Sequence, residues 1–188
     1  MRANVEPEDA GTGREAALRR VLDDHLAAAA GGGGEPESAG LALLDRERWA
    51  EAAEVLADAL RQAERDGAPP AVLAARLNLA RALTRTGDLD RAIELLGPLP
   101  DGFAALPEPD DGARARALAS LGEAYLRADR PVAAINFFGQ ALEILRRLDA
   151  VDGQAAMFTC IAEAARLRGD GPAERAARAR AAELSPGA

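Results

Sequence analysis

The stretch "TRTGDLDRAIELL", residues 84–96, decides how the chain folds. A Thr-Gly-Asp corner, whose glycine admits backbone angles closed to other residues, stands directly before an alternation of acids and apolar residues centred on Ala92. Ala92 and Leu96 are four apart and so share one face of a helix. The alanine marks a place where a second helix comes close.

The same pattern recurs along the chain. "LNLARALTRTGDLDRAIELL" from Leu77 aligns with "ASLGEAYLRADRPVAAINFF" from Ala119, with "AGLALLDRERWAEAAEVL" from Ala39 and with "CIAEAARLRGD" from Cys160. Each copy carries a small residue seven positions ahead of its corner. These are Gly40, Ala80, Gly122 and Ala162, spaced 40, 42 and 40 residues apart. Leu43, Leu83, Tyr125 and Ala165 follow three residues later, and beyond the corners come Ala52, Ala92 and Ala134, each four residues ahead of Leu56, Leu96 or Phe138. Both spacings are helical, and the period is that of stacked helix pairs. The expected packing sets Gly or Ala of the first helix against Ala52, Ala92 or Ala134 of the second, with Leu, Tyr and Phe filling the flanks.

These residues resemble the tetratricopeptide repeat (TPR) family. The likeness is densest over residues 117–142, where Leu121, Gly122, Tyr125, Ala134, Phe138 and Ala141 fall in the family's slots, and it extends over roughly residues 37–184. The period is longer than the usual ~34 residues and is similar to that of the longer-repeat members found in kinesin light chains and bacterial signalling proteins. The resemblance implies an all-α superhelix of about four antiparallel helix pairs, in repeats at 37–68, 69–110, 111–150 and 151–184. "INFFGQALEILRRLDAVDG" extends the second helix of repeat three through Phe138, Ala141, Leu145 and Leu148, whereas the last helix has only Ala173, Ala177, Ala181 and Leu184, the thin stripe of a terminal cap.

Three segments fall outside the pattern. Residues 1–13 have a disorder-prone composition. Residues 14–30 read as an amphipathic helix with Leu18, Val21, Leu22, His25 and Leu26 on one side, followed by a Gly-rich linker at 31–36. That helix has three uses open to it: packing on the first repeat, pairing with another copy, or docking elsewhere. In "GPLPDGFAALPEPDDG", residues 97–112, Pro98 is expected to stop the second helix of repeat two, leaving an irregular strip in which Phe103 and Leu106 plug the gap.

Composition agrees with helices. Hydrophobic residues make up 48% of the 188 and aromatics only 3%, so alanine and leucine carry the packing. All 23 basic residues are arginine, and together with abundant Ala, Gly and Pro they point to a high-GC bacterial source. The net charge of -8 argues against nucleic acid as a partner. One cysteine and one histidine supply neither an internal disulfide nor a zinc cluster. The beginning, "MRANVEPEDAGTG", lacks the apolar run of a leader, and no stretch is apolar over a membrane's thickness, so a cytoplasmic location without membrane contact is the expectation.

No phosphate loop, HExxH, GxSxG or dinucleotide fingerprint is present, and "GGGG" at 31–34 follows no strand pattern. "DD" at 23–24 reads as a solvated helix face and "DD" at 110–111 as a charge pair at a helix N-terminus. His25 reads as the edge of an apolar stripe, Cys160 as a small buried thiol and Trp49 as packing at a corner. The expectation is a non-enzymatic protein without cofactor or metal.

The resemblance also implies a concave groove lined by the first helix of each pair. The matching slots are Asn78, Arg81 and Arg85 in repeat two, Arg116, Ser120, Glu123 and Arg127 in repeat three, and Thr159, Glu163 and Arg166 in repeat four. Arginine presents a planar fork suited to carboxylates, so one reading is a groove for an acidic or C-terminal peptide of a partner protein. The other is a solvated face whose arginines pair with neighbouring acids. Asn78 matches the family asparagine that bonds a ligand's backbone, but Ser38, Ser120 and Cys160 hold the equivalent slots. The chaperone carboxylate clamp is rejected, since Glu37 and Leu41 replace its lysine and asparagine. Rival functions are a self-assembling protein dimerising through residues 14–30, a secretion-chaperone-like protein and a peptide sensor.

Overall fold

The computed structural model describes residues 35–185, with side chains from Glu37; the segments expected at 1–13 and 14–30 lie outside the described residues. Described elements are all helical: α1 (Glu35–Asp45), α2 (Trp49–Asp66), α3 (Pro69–Thr86), α4 (Leu89–Leu96), α5 (Leu99–Ala104), α6 (Asp111–Arg127), α7 (Pro131–Arg147), α8 (Val151–Leu167) and α9 (Gly171–Leu184). α1 starts inside the stretch expected as linker. Each helix packs on its sequence neighbours, and α4 and α5 together lean on α6, so that helix pairs stack side by side. The all-α solenoid expected from the period is the fold.

The corners explain the period. At each one a residue with positive φ turns the chain: Glu47 at 58°, Gly87 at 89°, Asp129 at 55° and Gly169 at 74°. The next residue's N–H closes the turn on a carbonyl five back, as in Arg48 to Leu43 at 2.9 Å, Asp88 to Leu83 at 3.0 Å, Arg130 to Tyr125 at 2.9 Å and Asp170 to Ala165 at 2.9 Å. This left-handed C-terminal cap satisfies carbonyls that the helix end would otherwise orphan. All four corners share this backbone geometry.

At the helix crossings of repeats one and three the nearest neighbour of the small residue is a large side chain, not the expected alanine. A Cβ added to Gly122 would lie 2.4 Å from Cε1 of Phe138, and one added to Gly40 would lie 2.5 Å from Cδ2 of Leu56. Ala80 shares a cluster with Leu96, while Ala92 lies in another cluster with Leu56 and Leu79. Gly40 and Gly122 are therefore sockets for the large side chain four residues beyond the alanine, a knob entering a hole, and Ala80 lies with Leu96 in the same way. Tyr125 flanks the socket of repeat three and stacks on Phe137, ring centroids 5.2 Å apart.

Two further expectations are corrected. Where an irregular strip was expected, Leu99–Ala104 form a short helix: Pro98 stands ahead of it, its carbonyl accepts the Gly102 N–H at 3.0 Å, and Leu99, Pro100 and Phe103 are buried against α6. Pro98 interrupts the second helix without ending the helical path, because proline is tolerated at a helix start where no amide donor is needed. Leu106 packs on the same cluster. The stripe of α7 ends at Leu145; Leu148 is the cap residue and 46% exposed.

Candidate functional site

The first helices α3, α6 and α8 are sandwiched between second helices, which leaves their polar side chains a narrow inner strip. Asn78, Arg81, Thr84, Ser120 and Glu123 are all buried there. A buried polar group costs free energy unless it is paired, so this strip is held by specific bonds. Asn78 Nδ2 donates to Oε1 of Glu37 at 2.7 Å, tying α3 to α1, and its Oδ1 accepts from Arg81 at 3.5 Å. Thr84 turns its hydroxyl to the Ala80 carbonyl at 2.8 Å.

One step along, Glu123 of α6 receives two guanidinium groups. Arg85 reaches its Oε1 from α3 at 3.2 Å and Arg127 from the next turn of α6 at 3.1 Å. The Arg85 side chain is only 4% exposed and its Cζ lies 4.4 Å from the centre of the Trp49 ring, so one arginine links repeats one, two and three. Desolvation offsets much of the Coulomb gain of such a pair, whereas loss of one partner strands the other. The network thus fixes how neighbouring repeats sit more than it adds to stability.

The remaining slots are more open. Burial lowers the pKa of Arg116 from its ordinary value while the carboxylate of Asp110 opposes the change. Arg127 is 28% and Arg166 47% exposed at the side chain. Arg166 bonds Glu163 through Nε at 2.9 Å, and that bond raises its pKa. Thr159 returns its hydroxyl to Ala155 O at 3.0 Å. Cys160 is fully buried at the foot of the strip; burial first, then the charges of Glu123 and Glu163, push its thiol pKa far up.

Of the ten slots, the structure joins Asn78 to Arg81 and Arg85 to Glu123 and Arg127. It does not spread them over an open, arginine-lined groove. Arg81 and Arg85 are interior residues engaged with this chain, and the exposed cations are Arg127 and Arg166 at the strip's rim. Glu37 and Trp49 complete the network and were not on the slot map. Their signal was present: each lies about one repeat ahead of the residue it meets, Glu37 ahead of Asn78 and Trp49 ahead of Arg85.

Asp110 caps α6 by accepting the Ala113 N–H at 2.7 Å, which accounts for its place beside Asp111. Among the described residues no group of three or more His, Cys, Asp or Glu could hold a metal ion, and no helix is long and apolar enough to cross a membrane.

Comparison with known proteins matches this architecture. Residues 72–97, spanning most of α3 and all of α4, match one tetratricopeptide repeat model, and residues 117–150, from mid α6 through α7, match another. No curated protein is significantly similar in sequence. Among solved structures the chain is similar to BtubC (BKLC) from P. vanneervenii, with 16% identity and a TM-score of 0.47 over 93% of this chain and 91% of that one. The two matches identify tetratricopeptide repeats at residues 72–97 and 117–150 of this chain.

Proposed function

We propose that the protein is a non-catalytic scaffold that takes a segment of a partner protein along its first-helix face. Tetratricopeptide repeats indicate protein-protein interaction. The observation that carries the finer reading is a pair of exposed arginines beside a buried, already ordered polar strip: Arg127 and Arg166 project from α6 and α8, each paired with a carboxylate, of Glu123 and of Glu163. An acidic or C-terminal peptide supplies the same oxygens and competes for the same guanidinium forks. Interior arginines set the platform and rim arginines make the exchangeable contacts.

The test is a panel of acidic, neutral and basic C-terminal peptides titrated into the protein and into a variant with Arg127 and Arg166 each changed to Glu. Acidic peptides should bind preferentially, weaken with salt, and lose at least tenfold in affinity to the variant while helicity is unchanged. Equal binding of acidic and neutral peptides, or an unaffected variant, refutes the reading.

A further inference from the structure

Every first helix after α1 carries, three residues apart, a pair of apolar side chains turned to the preceding repeat. Leu79 and Ala82 of α3 lie in one cluster with Leu56 and Leu60 of α2. Leu121 and Ala124 of α6 lie with Leu96, Leu99 and Phe103 of repeat two. Ile161 and Ala164 of α8 pack with Phe138 and Leu142 of α7. Ala82, Ala124 and Ala164 are each 0% exposed. One period earlier the same two positions are Ala39 and Ala42 of α1, of which Ala39 is exposed and Ala42 half-buried. α1 therefore has the seat for a preceding second helix without a described helix in it.

We infer that residues 14–30 of the same chain occupy this seat, as the second helix of a half-repeat that closes the N-terminal end of the stack. Three features of the sequence fit that occupant. The segment is 17 residues long, as is α7, the second helix that precedes α8. It is joined to α1 by residues 31–34, a connection close in length to the three residues, 148–150, between α7 and α8. And α1 offers only alanines at the seat, so a close-packed neighbour must bring the bulk, which Leu18, Val21, Leu22 and Leu26 do.

The tether selects the chain's own segment over a second copy's. The five steps from residue 30 to residue 35 span at most about 18 Å, which confines residue 30 to the neighbourhood of α1, within reach of a helix packed about 10 Å away. A short flexible link of this kind gives an effective concentration of order millimolar, well above that of another molecule in dilute solution.

Hydrogen exchange on the full chain, read by mass spectrometry at several concentrations beside sedimentation mass, tests this. Amides of residues 18–28 and 38–44 should exchange at least tenfold slower than an unstructured chain at every concentration, with a monomer mass. Leu22→Asp should speed exchange in both stretches while α7 and α8 stay protected. Ala27→Asp, on the opposite side of the helical wheel, should leave both stretches protected. Free exchange of residues 18–28 in the unaltered protein overturns the inference, as does a Leu22→Asp effect that spares 38–44. Protection that appears only together with a dimer mass assigns the seat to another copy and equally overturns it.

Discussion

Replacing Gly122 by alanine should destabilise the protein, although alanine is the better helix former. Moved to alanine, an unobstructed helical glycine gains about 1 kcal/mol. Gly139, on α7 of the same repeat, is unobstructed: a Cβ there meets nothing within 4 Å. At Gly122 the new carbon would lie 2.4 Å from Cε1 and 2.5 Å from Cδ1 of Phe138, a ring that is 0% exposed and has no free side toward which to swing. Overpacking of that kind costs about 1 to 3 kcal/mol, and with a rigid buried ring the upper half of the range applies. The net is a loss of about 1 to 2 kcal/mol for Gly122→Ala against a gain of about 1 kcal/mol for Gly139→Ala. At about 2 to 4 °C per kcal/mol, the two variants should melt on opposite sides of the parent, about 4 to 12 °C apart. Calorimetry measures the separation. A Phe138→Leu background supplies the internal control, because repeat two already packs alanine (Ala80) in a cluster with leucine (Leu96), both 0% exposed; there the Gly122→Ala penalty should fall by half or more. If Gly122→Ala and Gly139→Ala stabilise equally, the socket account of the helix crossing is wrong.

Glu47 and Asp129 hold the corner conformation with side chains present, at φ values of 58° and 55°. Glycine at either should raise stability by about 0.5 to 1 kcal/mol, more at Glu47 because aspartate tolerates this region better, and chemical denaturation that shows losses instead would refute the common corner. Cys160 should stay unreactive in the folded protein: burial and the charges of Glu123 and Glu163 raise its thiol pKa, so the thiolate is scarce and shielded. A disulfide reagent at pH 8 should label it at least 100-fold more slowly than in urea, and comparable rates would show the strip to be open.

Period and corner were legible in the sequence because each imposes a local demand: a left-handed residue to end the first helix and a small one seven positions earlier. Gly87 and Gly169 announced the first demand; Glu47 and Asp129 met it only by register. The nearest partner of Gly40 and of Gly122 differs from the alanine expected. Helical spacing says which face Ala52, Ala92 and Ala134 occupy, but not how far one helix slides along its mate, and that offset brings Leu56, Leu96 and Phe138 into the sockets. Pro98 was read as a stop because proline lacks an N–H, yet a new helix can begin beside it when Leu99 and Phe103 have a core to enter. The arginines posed the hardest problem. Arg81 and Arg85 share a face of α3 by spacing alone, but the groups that engage this strip from outside it, Glu37 on Asn78, Trp49 and Glu123 on Arg85, come from other helices and from one repeat to either side.

The junction through Arg85 makes the repeats individual. Their backbones turn alike, yet a repeat lifted out and reinserted elsewhere would carry a cation or an anion with no counterpart across the new seam. Order along the stack is written in such keyed charges: duplicating, deleting or shuffling units would be forbidden here although the corners alone would permit it, and the length of this array is in that sense frozen.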